Sequence, residues 1–320
     1  MSPLFFALAL FLVVLFVYMG RYSGRVRAEA SRFIAAPPDV VQARVADLAQ
    51  WQAWNPWLEH ARDARATVDG DTLAWDVPHV GRGRVTARGP LRQKLAFALP
   101  FKFQGRSDWR FEPALGGTQV SWRFKGRVAF TLRAFAATVQ GATALDLRFG
   151  LDRLAAALQG DARPYTLDYT GVHDQPARML AQQPFRVGLD ALATELPLRI
   201  TAVRALLDGA GLPADGTAVV LYLKTQLKQR IVDGQVGVSL PGDAVTPPGL
   251  SARELPAHRA YVLRFDGPPE SLELAWYQAM QRLRVEQLQP HPQLPPHALY
   301  VGEGRPGMPA IVELHLPLLT

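Results

Sequence analysis

Val236-Gly237-Val238-Ser239-Leu240-Pro241 is answered by Val312-Glu313-Leu314-His315-Leu316-Pro317, 76 residues further on. Two more matches keep the same order. Val220-Leu221-Tyr222-Leu223 precedes Ala298-Leu299-Tyr300-Val301 by 78 residues, and Gln175-Pro176-Ala177-Arg178 precedes Leu255-Pro256-Ala257-His258 by 80. Ordered matches at a nearly constant offset mark an internal duplication. Each copy reads strand, helix, strand, strand. The first helix is expected over Pro197–Asp208, closed by Gly209 and Gly211. The second is expected over Pro269–Gln287, with Leu272, Ala275, Trp276, Ala279 and Leu283 on one face. Pro247-Pro248-Gly249 links the copies. Two such units side by side predict a mixed sheet with both helices on one face and nothing over the other.

Strand alternation then assigns side chains to faces. Val219, Leu221 and Leu223 are expected under the helices. Val220, Tyr222 and Lys224 take the uncovered face, with Ala298 and Tyr300, Gly237 and Ser239, and Glu313 and His315. That face would carry paired tyrosines, a carboxylate and small residues, a lining suited to a flat or cationic organic ligand.

Working back along the chain, Asp161 to Pro164 is a polar, proline-containing break. Before it, Pro37-Pro38 opens an amphipathic helix over 38–50, with Val41, Val45, Leu48 and Trp51 at helical spacing. Trp51, Trp54 and Trp57 follow at intervals of three. Short strands are expected over Thr67–Asp69, Thr72–Val77, Gly83–Gly89, Lys94–Leu99, Ser107–Pro113 and Thr118–Gly126, with a hairpin turn at Ala114-Leu115-Gly116-Gly117. Leu147, Leu151, Leu154 and Leu158 stripe a terminal helix that stops at Gly160. Strand, helix, antiparallel run and closing helix predict a curved sheet around one helix, with an internal cavity. Trp75 and Trp109 are candidates to line it. Gly81-Arg82-Gly83-Arg84 has the look of a phosphate motif but reads as a solvated hairpin.

At the N-terminus, Ser2 to Gly20 carries no charge and is followed by Arg21, Arg25 and Arg27. The run is long enough for an uncleaved transmembrane helix contacting the bilayer through residues 2–20, and the arginines place the remainder in the cytoplasm. The division is therefore 1–26 for anchor and basic flank, 27–160 for the first domain and 161–320 for the second. Charge is asymmetric: 21 Lys and Arg against 12 Asp and Glu up to residue 160, and 14 against 16 beyond it. The basic residues are scattered over strands without a recognition-helix cluster, so no nucleic-acid partner is expected.

Two resemblances follow. Ile34-Ala35-Ala36-Pro37-Pro38-Asp39-Val40-Val41, Asp47-Leu48, Trp54-Asn55-Pro56-Trp57, the hairpin from Glu112 to Trp122, and Phe149-Gly150-Leu151-Asp152-Arg153-Leu154 resemble the SRPBCC superfamily, START-like and polyketide-cyclase-like. This implies a helix-grip fold with a hydrophobic ligand cavity over 27–160. The glycine-rich stretch often found before the first long strands is missing. Asp174 to Arg178, Leu255-Pro256-Ala257, the Tyr300 strand and Glu313 to Pro317 resemble the GyrI-like effector-binding domain, a duplicated β-α-β-β fold of SHS2 type. Such domains bind small molecules, often lipophilic cations, between the repeats, and a subset hydrolyses electrophilic ligands. Many carry an acid two residues before the last hairpin's tyrosine, where this chain has Ala298.

With no cysteine, thiolate chemistry and Cys-ligated metals are excluded. The seven histidines, His60, His79, His173, His258, His291, His297 and His315, lack metal-ligand spacing, and no nucleotide or nucleophile motif is present. No cofactor is expected. The expected function is a membrane-anchored protein that senses, buffers or carries a hydrophobic or amphipathic ligand. The candidate contacts are Tyr222, Tyr300, Glu313, His315, Ser239, Trp75 and Trp109. The alternatives are a hydrolase or cyclase using Glu313 or His315 as base with Tyr300 orienting it, and a scaffold with degenerate pockets.

Overall fold

The computed structural model describes residues 3–59, 66–77, 81–98, 102–160, 164–226, 229–241, 244–301 and 310–319. His60, His79 and Asp161 to Arg163 lie outside the described residues. The chain divides into two compact units, Met1–Arg163 and Pro164–Thr320, each mixed α+β around an antiparallel sheet.

The first unit begins with α1, Pro3–Gly20. Among the described residues, no helix is long and apolar enough to cross a membrane. The side chains of α1 are described from Phe5 onward. The 18 residues of α1 extend about 27 Å at the helical rise per residue, short of a hydrocarbon core of about 30 Å. The expectations of a single-pass anchor over residues 2–20, of membrane localisation and of cytoplasmic placement are therefore set aside. Phe16 of α1 instead stacks on Phe130, with ring centroids 4.8 Å apart.

The strands β1 (Arg25–Ile34), β2 (Thr67–Asp69), β3 (Thr72–Val77), β4 (Gly81–Ala87), β5 (Arg92–Phe97), β6 (Phe103–Ala114) and β7 (Gly117–Val128) form one antiparallel sheet in the order β1-β7-β6-β5-β4-β3-β2. Gly116, at φ 78°, makes the β6–β7 turn that only glycine takes without strain. Helix α2 is Pro38–Ala46 and α3 is Ala136–Gln159. The latter packs on β1 and β7 and is capped by Gly160 at φ 66°. A buried Arg32–Asp152 ion pair ties it to β1, and the Trp57 indole N–H donates to Asp146 over 3.1 Å.

Tryptophan fills the space between α3 and the sheet. Trp51 lies 4.4 Å from Trp54, and Trp109 stacks on Trp122 at 4.4 Å. The Trp109 N–H donates to Gln93 (2.8 Å), the Trp51 N–H donates to the Val45 carbonyl (2.9 Å), and the Trp122 N–H donates to Ser107. Buried indoles need such partners, and the core supplies them for Trp51, Trp109 and Trp122, while among the described residues the buried Trp54 Nε1 has none. The expected ligand cavity around Trp109 is therefore occupied by protein. Gly81 to Arg84 opens β4, which pairs antiparallel with β3 as the second strand of a hairpin, with Arg82 and Arg84 exposed.

In the second unit, β8 (Thr166–Gln175), β9 (Arg178–Gly188), β10 (Ala218–Gln226), β11 (Ile231–Leu240), β12 (Ser251–Leu255), β13 (His258–Gly267), β14 (His297–Tyr300) and β15 (Ala310–Pro317) run in the order β12-β9-β11-β10-β14-β15-β13-β8. Every neighbouring pair is antiparallel, so the expected mixed sheet is corrected. The helix crossover from β9 skips a strand to reach β10, and β11 returns antiparallel into the gap. Helices α4 (Leu192–Gly209) and α5 (Leu272–Val285) lie on one face. Pro197 sits inside α4 instead of starting it.

The lead strands are exchanged between the repeats: β8 pairs with β13 of the second copy, and β12 pairs with β9 of the first. Gln175 is paired with His258, while Arg178, three residues on, is paired with Leu255. The two crossovers, Pro176-Ala177 and Pro256-Ala257, therefore bring opposite ends of the sheet within about 10 Å of each other. The sheet is rolled up, and its helix-free face becomes an interior. Leu180, Val219, Leu221, Leu255 and Leu299 form a buried cluster there.

Candidate functional site

Helix α4 covers β9 and β11, and α5 covers β13 and β15. The central strands β10 and β14 run between the helices, and Tyr222 and Tyr300 stand on them, each half-buried. Trp276 of α5 meets Tyr222 edge-on, with centroids 5.0 Å apart. Gly234 lies opposite Tyr222 in the ladder, where any Cβ would strike the Phe185 ring at 2.5 Å. Burial pushes the Tyr222 hydroxyl up to about 12, opposed by its hydrogen-bonding neighbours Trp276 and Tyr300. The Tyr300 hydroxyl is also raised, by burial and by the adjacent Tyr222. Both phenols are therefore neutral donors at ordinary pH. Tyr222, Trp276 and Tyr300 form an aromatic cluster with polar tips, suited to stacking on a flat apolar ligand.

This reverses the expected orientation. Tyr222 faces α5, so Val219 and Leu221 face away from the helices. Ser239, Glu313 and His315 also lie on the helix-free face: residues directly opposite in an antiparallel ladder share a face, and Val219 pairs with Gly237, Leu299 with Glu313, and His297 with His315. The tyrosines and the Glu313–His315 pair thus sit on opposite faces, and Tyr300 cannot orient either as a base. Alternation misassigned the faces because the rolled interior is as apolar as the helix-covered side. Trp75 and Trp109 belong to the first unit.

Inside the roll, His297 stacks on His315 at 5.1 Å and meets His258 edge-on at 5.2 Å. Burial, then neighbouring positive charge, pushes His297 down to about 3 and His315 down to about 4. The Nδ1–H groups of His258 and His297 donate to the carbonyls of Pro256 (2.8 Å) and Pro295 (3.2 Å). His315 donates from Nε2 to Glu313 at 3.4 Å, and Glu313 also pairs with Arg264 at 3.7 Å. Among the described residues, the buried His315 Nδ1, His258 Nε2, Gln182 Oε1, Gln235 Oε1 and Ser239 Oγ have no hydrogen-bond partner. Four of these five atoms can only accept, so the interior suits a donor-rich, uncharged group.

Spacing rules could not find His258, His297 or Gln182, because His258 and His297 stand on β13 and β14, which meet only through β15, and Gln182 stands on β9 of the other copy. Trp276 was legible as a helix-face residue but not as the neighbour of Tyr222. Among the described residues, no group of three or more His, Cys, Asp or Glu is placed to hold a metal ion.

Residues 25–159 match a family model described as polyketide cyclase / dehydrase and lipid transport. Among solved structures, the chain is similar to the EcmrR C-terminal domain, at 17% identity over 49% of this chain and 98% of that one, with TM-score 0.39. It is also similar to TTHA0849 from Thermus thermophilus, at 17% identity over 42% of this chain and 99% of that one, with TM-score 0.31. No curated protein matches the chain.

Proposed function

We propose that this chain is a small-molecule-binding protein that senses, buffers or carries a flat hydrophobic or amphipathic compound in the cleft between α4 and α5. The carrying observation is the Tyr222–Trp276 contact with Tyr300 alongside, half-buried on the strands that run between the helices. The match of residues 25–159 to a family described by cyclase, dehydrase and lipid-transport activity supports the same ligand class. Glu313, on the opposite face and tied to Arg264 and His315, supplies no charge to this cleft. Selection by shape and stacking therefore fits better than selection for cations. The test is thermal unfolding of the full chain against planar aromatic compounds, lipophilic cations, sterols and fatty alcohols. A compound binding only the folded state stabilises by about 2.7 kcal/mol at a hundredfold excess over its Kd. The expected result is a shift with neutral planar compounds that the Tyr222→Ala/Tyr300→Ala variant abolishes. An equal shift in that variant removes the cleft from the reading.

A further inference from the structure

The outer face of the first sheet, opposite the tryptophan core, carries an unusual charge pattern. Lys94 of β5 stands opposite Arg106 of β6, Arg106 opposite Lys125 of β7, and Lys125 opposite Arg27 of β1. One row along, Arg127 stands opposite Arg25. Like charges directly across a ladder are destabilising. The acids of this face sit elsewhere: Asp108 pairs with Arg92, Glu29 with Arg123, and Asp76 with Arg82. Among the described residues, Arg84, Lys94, Lys102, Arg106, Lys125 and Arg127 make no ion pair, and all are exposed.

A groove of about 830 Å³ opens beside these rows. Ala74, Ala96 and Ala98 leave its floor low, while Arg84, Lys102 and Arg127 stand along it. The rings of Trp75 and Phe97 reach its lining from the inner rows. A drug-sized ligand fits such a volume. Small apolar residues along the floor with unpaired cations above them match a ligand with an apolar chain and an anionic head. We propose that this groove binds an amphipathic anion, an acyl or alkyl chain bearing a carboxylate or phosphate. The cations set along the groove, Arg84 of β4, Arg127 of β7 and Lys102, hold the head by charge-assisted hydrogen bonds, and the alanine floor takes the chain. The bound anion would offset the repulsion between Arg127, which lines the groove, and Arg25 opposite it. The site is distinct from the tyrosine cleft, and it gives Arg82 and Arg84 different places: the first neutralised by Asp76, the second free to bind.

The experiment is calorimetric titration of the full chain with decanoate and with decyl phosphate, which separates the two head groups. Decanol and decyltrimethylammonium serve as uncharged and cationic counterparts. One or both anions should bind saturably, and the two controls should bind at least tenfold more weakly. Arg84→Ala/Arg127→Ala should weaken the anion at least tenfold, and Ala96→Phe, which fills the floor, should do the same while leaving every charge in place. Tyr222→Ala/Tyr300→Ala should leave anion binding unchanged. Absence of anion binding, equal binding of decanol, or unchanged affinity in the arginine variant would overturn the proposal. So would a short DNA duplex that displaces decanoate competitively, since the ladder would then be a nucleic-acid surface.

Discussion

His297 and His315 are imidazoles held neutral by burial, and that makes the second unit sensitive to acid. Unfolded, each titrates near the ordinary imidazole value of 6.5; folded, they are pushed down to about 3 and about 4. The unfolded chain binds more protons between those limits, so stability is full above pH 6.5 and falls as the pH drops through the window. The slope is about 1.4 kcal/mol per pH unit per histidine. His297→Phe keeps a ring in the stack and removes the charge. It should lose about 1 kcal/mol at pH 8, for the bond to Pro295, and show a shallower acid slope in urea unfolding. An unchanged slope would mean that His297 is already protonated in the fold. Tyr222 carries the opposite linkage. Its hydroxyl is raised from 10 to about 12, so its contribution is present below pH 10 and lost as the pH rises through 12. Tyr222→Phe should flatten the alkaline fall in unfolding midpoint. At this scale the sequence marked the residues but not their grouping. Tyr222 and Tyr300 were legible from the repeat, whereas His258 and His297 became partners only through strands that are not neighbours in the sheet.

Two glycines of α3 separate helix propensity from packing. Gly141 has open space where a Cβ would go, while a Cβ on Gly150 would lie 2.7 Å from the Trp122 ring and 3.2 Å from Pro56. Gly141→Ala should stabilise by about 1 kcal/mol, through reduced freedom of the unfolded chain. Gly150→Ala should destabilise by roughly 1–3 kcal/mol, because the core must shift to admit the methyl. Chemical denaturation of both variants checks the pair, and equal signs would contradict the packing of α3 on Trp122. The leucine stripe and Gly160 made this helix and its end legible. The helix-grip order of elements was legible for the same reason, since each element has one buried face. The start of α4 was not. Pro197 resembles a first-turn proline, yet the helix begins at Leu192, and apolar residues on both sides of the proline offset one missing backbone hydrogen bond.

Across the whole molecule, the division into two units gives two separate reporters. Trp276 is the sole tryptophan of the second unit, and the other six belong to the first. Heating at pH 4.5 should therefore split into two phases. An early loss of far-ultraviolet ellipticity would come from the acid-weakened second unit, and a later change in tryptophan emission from the first. A single coincident transition would show that the units unfold together. Composition and the position of the break made the existence of two parts legible, but not the exchange of lead strands.

That exchange says what a lone copy of the repeat would do. Each copy donates its lead strand to the other, so one copy alone leaves an unpaired strand and an open edge. Two copies would satisfy each other by trading arms, which is the arrangement of a swapped homodimer. The present chain holds the same arrangement within one polypeptide, its two copies joined through the Pro247-Pro248 linker. A cut in that linker should then be tolerated, with the two fragments reassembling by complementation. Either fragment alone should pair with itself rather than persist as a monomer.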